Sequence, residues 1–229
     1  MPDFSEPTKA DAELRLRTYW YVVDEIDFWP YGIQKLLNSQ EFRVLETVLR
    51  KFRSNATQLD AIADPVQRQQ RLVALAKTII ARERSMKSRF EGWQVFQNGI
   101  AHRFDSVEFR RAGSIRYDLF TQRFGKEKGV DVKLATDVLK LNDIFDVGII
   151  VSGDGDYVPA VQAVKDWGKH MVNVSFLKKN GGVLPGGARR LNQCTDCVIE
   201  LEYEEVRNFM KIVPKAKPLA PLPPPVVQS

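Results

Sequence analysis

Two aspartates one residue apart, Asp154 and Asp156, lie in the run Val147-Gly148-Ile149-Ile150-Val151-Ser152-Gly153-Asp154-Gly155-Asp156-Tyr157. Carboxylates at that spacing on a glycine turn suit hard divalent cations such as Mg2+ or Mn2+, which take oxygen ligands. A cation so held can bind a phosphodiester oxygen and lower the pKa of a bound water for in-line attack. A third acid, Asp131, opens an expected helix after Lys128-Gly129-Val130. At about 100° per residue, Leu134, Ala135, Val138 and Phe145 share its side. A carboxylate on an apolar stripe needs a cation or hydrogen-bond donors to offset its burial. Asp137 borders the same stripe.

Each of these residues also has a structural role open to it. Asp131 and Asp156 could cap helices, and Asp154 could stabilise its own turn. Ser152 could donate to a phosphate or simply complete the turn. Lys128 and Lys133 beside Asp131, and Arg189 and Arg190 after the glycine-rich Gly181–Gly187, could meet phosphate or stand solvated. Three acids together, two of them on one loop, favour chemistry over three separate caps.

The loop needs a frame. Residues 147–151 read as a buried strand, 157–167 as a helix closed by Gly168, and Met171–Phe176 as the next strand. That is a βαβ unit, so its strands should be parallel and covered on both faces. In such sheets ligands bind beyond the carboxyl ends of the strands, which is where Asp154 and Asp156 fall. Upstream, Thr18–Val23 reads as a strand and residues 33–53 as a helix. Residues 65–89 read as a second, Arg- and Gln-rich helix. Strands are expected at Trp93–Gln97 and at Ser106–Ala112, then a turn at Gly113-Ser114 into Ile115–Tyr117. The reading is a frayed segment 1–13, one α/β domain over 14–212 with an inserted helical hairpin at about 33–89, and a Pro-rich tail 213–229.

The chain has 229 residues, 44% of them apolar and 28% charged, with a net charge of +5. That bounds one globular domain with an appendage and leans towards a polyanionic partner such as nucleic acid. No apolar run suits a membrane span or an export leader. With two cysteines, the expectation is a reducing cytoplasm. Cys194-Thr195-Asp196-Cys197 is half a zinc site at most, and no second pair accompanies it. His102 and His170 lack any nucleophile pattern. Arg110, Arg111 and Arg116 with Phe109 and Tyr117 could form a nucleic-acid face, or a charged edge.

Lys128-Gly129-Val130-Asp131-Val132-Lys133-Leu134-Ala135-Thr136-Asp137 followed by Val151-Ser152-Gly153-Asp154-Gly155-Asp156-Tyr157 resembles the NYN domain of LabA-related, PIN-like proteins. Gly168-Lys169 before a strand and the segment from Leu191 to Asp196 resemble its closing elements. The resemblance covers roughly residues 91–205. It implies a PIN-like three-layer α/β/α fold with a mostly parallel sheet. It also implies a Mg2+- or Mn2+-dependent ribonuclease acting on RNA, with single-stranded RNA expected. By resemblance Asp131, Asp154 and Asp156 are the acidic site, with Asp137 secondary.

The family's first acid ends its first, central strand in a motif like D-G-x-N, which this sequence lacks. Two readings stay open. In one, Tyr19–Val23 is the first strand and Asp24-Glu25-Ile26-Asp27 replaces the motif, making Asp24 a metal ligand. In the other, Arg17–Val22 is the family's second, aromatic strand, which Tyr19-Trp20-Tyr21 suits better. The chain would then be a non-cleaving RNA- or protein-binding regulator. The helical hairpin could also pair with a copy of itself, giving a homodimer.

Overall fold

A computed structural model describes residues 16–184 and 188–210. The segments expected to be frayed (1–13) and Pro-rich (213–229), and 185–187 of the glycine-rich stretch, lie outside the described residues. The chain is mixed α/β with mostly parallel strand pairing, as expected. It forms two compact units, Met1–Leu134 and Ala135–Ser229.

The first unit opens on strand β1 (Thr18–Trp29), longer than the expected Thr18–Val23. Helices α1 (Ile33–Asn38), α2 (Phe42–Leu49), α3 (Arg53–Asp60) and α4 (Pro65–Arg103) follow. Strands β2 (Val107–Asp118) and β3 (Arg123–Lys128) close the sheet in the order β1-β2-β3. β1 runs parallel to β2 from the pair Thr18–Val107 to Trp29–Asp118. β3 returns antiparallel to β2.

α4 starts where Asp64 accepts from the N–H groups of Val66 and Gln67 at 2.7 and 2.9 Å, with Pro65 at its first position. Its buried stripe is Leu72, Ala76, Ile79 and Ile80, against which Ile33, Leu45, Leu49 and Leu59 of the shorter helices are almost fully buried. Glu46 joins α2 to α4. Hydrogen bonds from Arg50 (2.8 Å) and Arg68 (2.7 Å) hold its carboxyl below the usual carboxylate range.

The strand expected at Trp93–Gln97 is instead the continuation of α4. Helical periodicity explains it. Gln94 and Gln97 face inward: Gln94 Nε2 donates to Asp24 O at 3.1 Å and Gln97 is 9% exposed. The aromatic residues that suggested a strand, Trp93 and Phe96, point out. The single helix expected over 33–53 is broken into two, with a third beginning at Arg53.

The turn expected at Gly113-Ser114 is absent, and β2 runs straight through it. The chain reverses at Leu119–Gln122. There Asp118 Oδ1 accepts from the N–H groups of Phe120 and Thr121 at 2.8 and 3.0 Å. Arg82 Nη1 donates to Leu119 O at 2.9 Å and so pins this reversal to α4.

Helix α5 (Val130–Lys140) begins in the first unit and ends in the second. The second unit then carries β4 (Val147–Val151), α6 (Val158–Asp166), β5 (His170–Leu177), β6 (Val183–Leu184), α7 (Ala188–Cys194), β7 (Cys197–Leu201) and α8 (Tyr203–Met210). β4 and β7 both pair parallel with the central β5, and β6 pairs antiparallel to it. Gly168, at φ +83°, ends α6. Its N–H donates to Lys165 O and that of Lys169 to Val164 O, the paired bonds of a Schellman cap.

The expectation that β4 is buried on both faces is corrected. Ile150 is buried, but Val147, Ile149 and Val151 are more than half exposed. One face of the strand packs on its own unit, where Gly148 lies close against Met171 and Phe145.

Asp196 ties the second unit together. Its Oδ2 accepts from Met171 N–H at 2.8 Å, its own N–H donates to Met171 O, and Lys165 Nζ lies 2.8 Å from Oδ1. The Lys165 hydrogen bond, then the Met171 N–H, hold the carboxyl below its usual range. A depressed carboxyl contributes stability above its unfolded pKa of about 4 and loses it as pH falls through the lower folded value. Asp196→Asn is therefore expected to lower the thermal midpoint at pH 7 and to narrow the gap from wild type at about pH 2, in melts followed by circular dichroism.

Candidate active site

β4 delivers its loop at the carboxyl end of a parallel strand, as the sequence led one to expect. Ser152 Oγ accepts from Asp154 N–H at 3.1 Å. Asp154 Oδ1 in turn accepts from Asp156 N–H at 2.9 Å, capping a short 3-10 turn, Gly155–Tyr157. Ser152 and Asp154 thus both fill the turn-building roles left open for them. Asp156 does not. The N-terminus of α6 has no side-chain cap, and Asp156 is exposed. Tyr157 is 5% exposed and anchors the loop from below. The result is a rigid turn presenting two carboxylates, one committed through one oxygen and the other facing solvent.

α5 differs from its expected form in which face is buried. Asp131 sits in the first turn rather than at the cap. The Glu127 carboxylate takes the capping part, accepting from Val130 N–H at 2.8 Å. The most buried residue of the helix is Asp137, 2% exposed. Val130, Leu134, Asp137 and Leu141 are spaced three or four apart, so the inward stripe centres on Asp137 and not on Asp131. Asp131 lies about 120° away from that centre. A carboxylate this buried must be served by donors around it. The sequence signal for it was the i, i+3, i+4 spacing of Val130, Leu134 and Leu141 about the acid.

Asp131 belongs to the first unit, and Asp137, Asp154 and Asp156 to the second. Asp24 lies within β1 and is exposed. In the β1–β2 register its neighbours Val23 and Glu25 pair with Ala112 and Ser114, so Asp24 stands across from Gly113. Gly113 in turn packs against Lys128 and Gly129, directly before Asp131. The register therefore brings Asp24 and the start of α5 to adjacent stretches of chain in one unit.

The basic candidates are dispersed. Lys128 ends β3 and is exposed, and Lys133 is half-buried on α5. Arg189 and Arg190 are exposed in the first turn of α7. The expected nucleic-acid face built on Arg111 and Tyr117 is not available in that form. Tyr117 is 5% exposed, and Arg111 Nη2 donates to Asn98 Oδ1 of α4 at 2.7 Å. The Arg116 guanidinium lies 3.6 Å from Asp27, which also accepts from Tyr31 at 2.7 Å.

Among the described residues no three His, Cys, Asp or Glu side chains converge as a metal site. The donor chemistry of the β4 loop, two carboxylates one residue apart, suits a hard divalent ion. The two cysteines are free thiols. Burial pushes the Cys194 thiol up. Among the described residues no helix is long and apolar enough to cross a membrane.

The family model for the NYN domain matches residues 32–198. No curated protein and no solved structure matches the chain.

Proposed function

We propose that this chain, a member of the NYN domain family, hydrolyses RNA phosphodiester bonds with the help of a divalent metal. The observation that carries the reading is the Ser152–Tyr157 turn. It holds Asp154 and Asp156 one residue apart at the carboxyl end of a parallel strand, with Asp156 exposed and excluded from capping. A bound Mg2+ or Mn2+ would supply a polarised water and a countercharge for the scissile phosphate. The ion would be held by Asp154 and Asp156, with Asp137 of the same unit supporting them from α5.

The chain's own groups do the rest. Ser152 keeps the turn rigid through Asp154 N–H. Arg189 and Arg190, in the same unit as the β4 loop, offer positive charge to phosphate oxygens, which phosphoryl transfer requires. Both readings of the first strand stay open, because β1 runs on to Trp29, so that Asp24 lies within the strand and not at its carboxyl end, and β1 stands at the edge of the order β1-β2-β3. β1 pairs with β2 along its length, with Asp24 across from Gly113 of the same unit. Single-stranded RNA is the proposed substrate and the cytoplasm the proposed location. The four helices between β1 and β2 are the proposed insertion, and they offer a surface for a second copy.

The competing reading is a non-cleaving RNA- or protein-binding regulator. Its support is that Asp154 already serves its own turn, a reason to keep the residue without catalysis. The two part in one experiment. Purified chain is incubated with labelled single-stranded RNA and Mg2+ or Mn2+, with and without EDTA. Cleavage that EDTA abolishes is the expected result. Binding without cleavage under all metal conditions would leave the regulator.

A further inference from the structure

The amino ends of β1 and β2 carry a group of aromatic and basic side chains that the acidic site does not use. Trp20 is 58% exposed, an unusual position for so large an apolar ring. It lies in register with Phe109 and stacks on it at 5.6 Å, with 15° between the planes. Phe104, just before β2, is 52% exposed, and the Arg103 guanidinium sits 5.7 Å over its ring. The chain connects these rings. Val107 N–H donates to Phe104 O at 3.0 Å and Thr18 N–H to Ser106 O at 2.7 Å, so Phe104 lies at the same end of the sheet as Trp20. Arg110 covers the Tyr19 ring at 3.9 Å and pairs with Glu108 at 2.9 Å.

A purely apolar partner would find this surface poorly matched. Arg17, His102 and Arg103, close to these rings in sequence, are exposed, as are the acids Asp105 and Glu108. Half-exposed aromatic rings beside a guanidinium group are what unpaired bases and their phosphates engage together: the rings stack, the cation meets the backbone, and no base sequence is read. A duplex hides its base faces and would gain only the charge.

The geometry points to the Trp20–Phe109 stack, with Phe104 and Arg103, as a docking surface for single-stranded nucleic acid, separate from the acidic residues. It adds a means of holding a strand to the proposed cleavage and does not depend on it.

The test is fluorescence anisotropy of the full chain with a labelled single-stranded uridine 12-mer, in EDTA so that no cleavage intervenes. Wild type is expected to bind the 12-mer more tightly than a duplex of the same length. Trp20→Ala is expected to weaken binding about tenfold, the scale of losing one stacked base, and Trp20→Phe to stay within about twofold. Arg103→Glu should weaken binding and flatten its salt dependence. Phe104→Ala, outside the strands, repeats the stacking test if Trp20→Ala does not fold. Equal binding by wild type and both alanine variants, or a preference for duplex, overturns the proposal. So does a loss of self-association in Trp20→Ala with unchanged 12-mer binding, which would make the surface a protein interface. Because binding is read in EDTA, a chain that binds but never cleaves refutes the nuclease reading alone.

Discussion

Asp154→Asn is expected to reduce metal-dependent RNA cleavage by about a hundredfold or more while leaving the fold intact. The size is that of losing an activated water or its general base. The substitution is informative because Asp154 does two things at once. Its Oδ1 accepts from Asp156 N–H at 2.9 Å, and an asparagine carbonyl can accept the same bond. The charge is removed and the turn is kept. Asp154→Ala removes both, and so should also lower stability by about 1 kcal/mol, the usual value of a lost cap. Initial cleavage rates on labelled single-stranded RNA, with thermal melts of each variant, separate the two effects. Asp156→Asn should cut the rate without moving the melt, since its side chain caps nothing. If Asp154→Asn cleaves at the wild-type rate, the β4 loop is not the reactive centre.

The loop was readable from sequence because everything that shapes it is local. A five-residue apolar strand, two glycines and a helix start within a few residues leave the backbone few options. Gly168 closing α6 was readable for the same reason. The misread elements are those whose conformation depends on distant partners. Trp93–Gln97 has strand-like composition, yet it continues a helix because Gln94 and Asn98 meet β1 and β2. The reversal placed at Gly113-Ser114 occurs instead at Asp118, whose carboxylate serves two N–H groups. The rotation of α5 was missed by choosing Asp131 as the centre of the stripe, when burial centres on Asp137. A buried acid on a helix is the more demanding arrangement, and the apolar spacing around Asp137 already indicated it. Asp196 carries no sign of its structural role in the sequence around it. Its bonds to Met171 and Lys165 span 25 and 31 positions of chain and leave no local trace.

Gly113, read as a turn residue, carries a different and larger burden, and Gly113→Ala should show it. Its φ is +65°, in the left-handed region where a side chain costs about 1–2 kcal/mol. A Cβ built there would lie 1.9 Å from Lys128 O and 3.0 Å from Gly129 Cα. Those are backbone atoms at the end of β3 and cannot swing aside as a long side chain can. Gly129, at φ +100°, faces back with its own Cβ position 3.1 Å from Gly113 Cα. Two glycines therefore let the chain pass closely just before α5 begins. Strain and overlap together should cost about 2–5 kcal/mol, measurable by chemical denaturation. Relief requires Lys128–Gly129 to move away, which shifts the helix start that carries Asp131. Gly125→Ala is the matched control, because its nearest contacts are ordinary at 3.6 and 3.7 Å from Arg116. It should be close to neutral in the same measurement. A Gly113→Ala chain as stable as Gly125→Ala would mean that β2 and the segment leading into α5 do not approach each other as described.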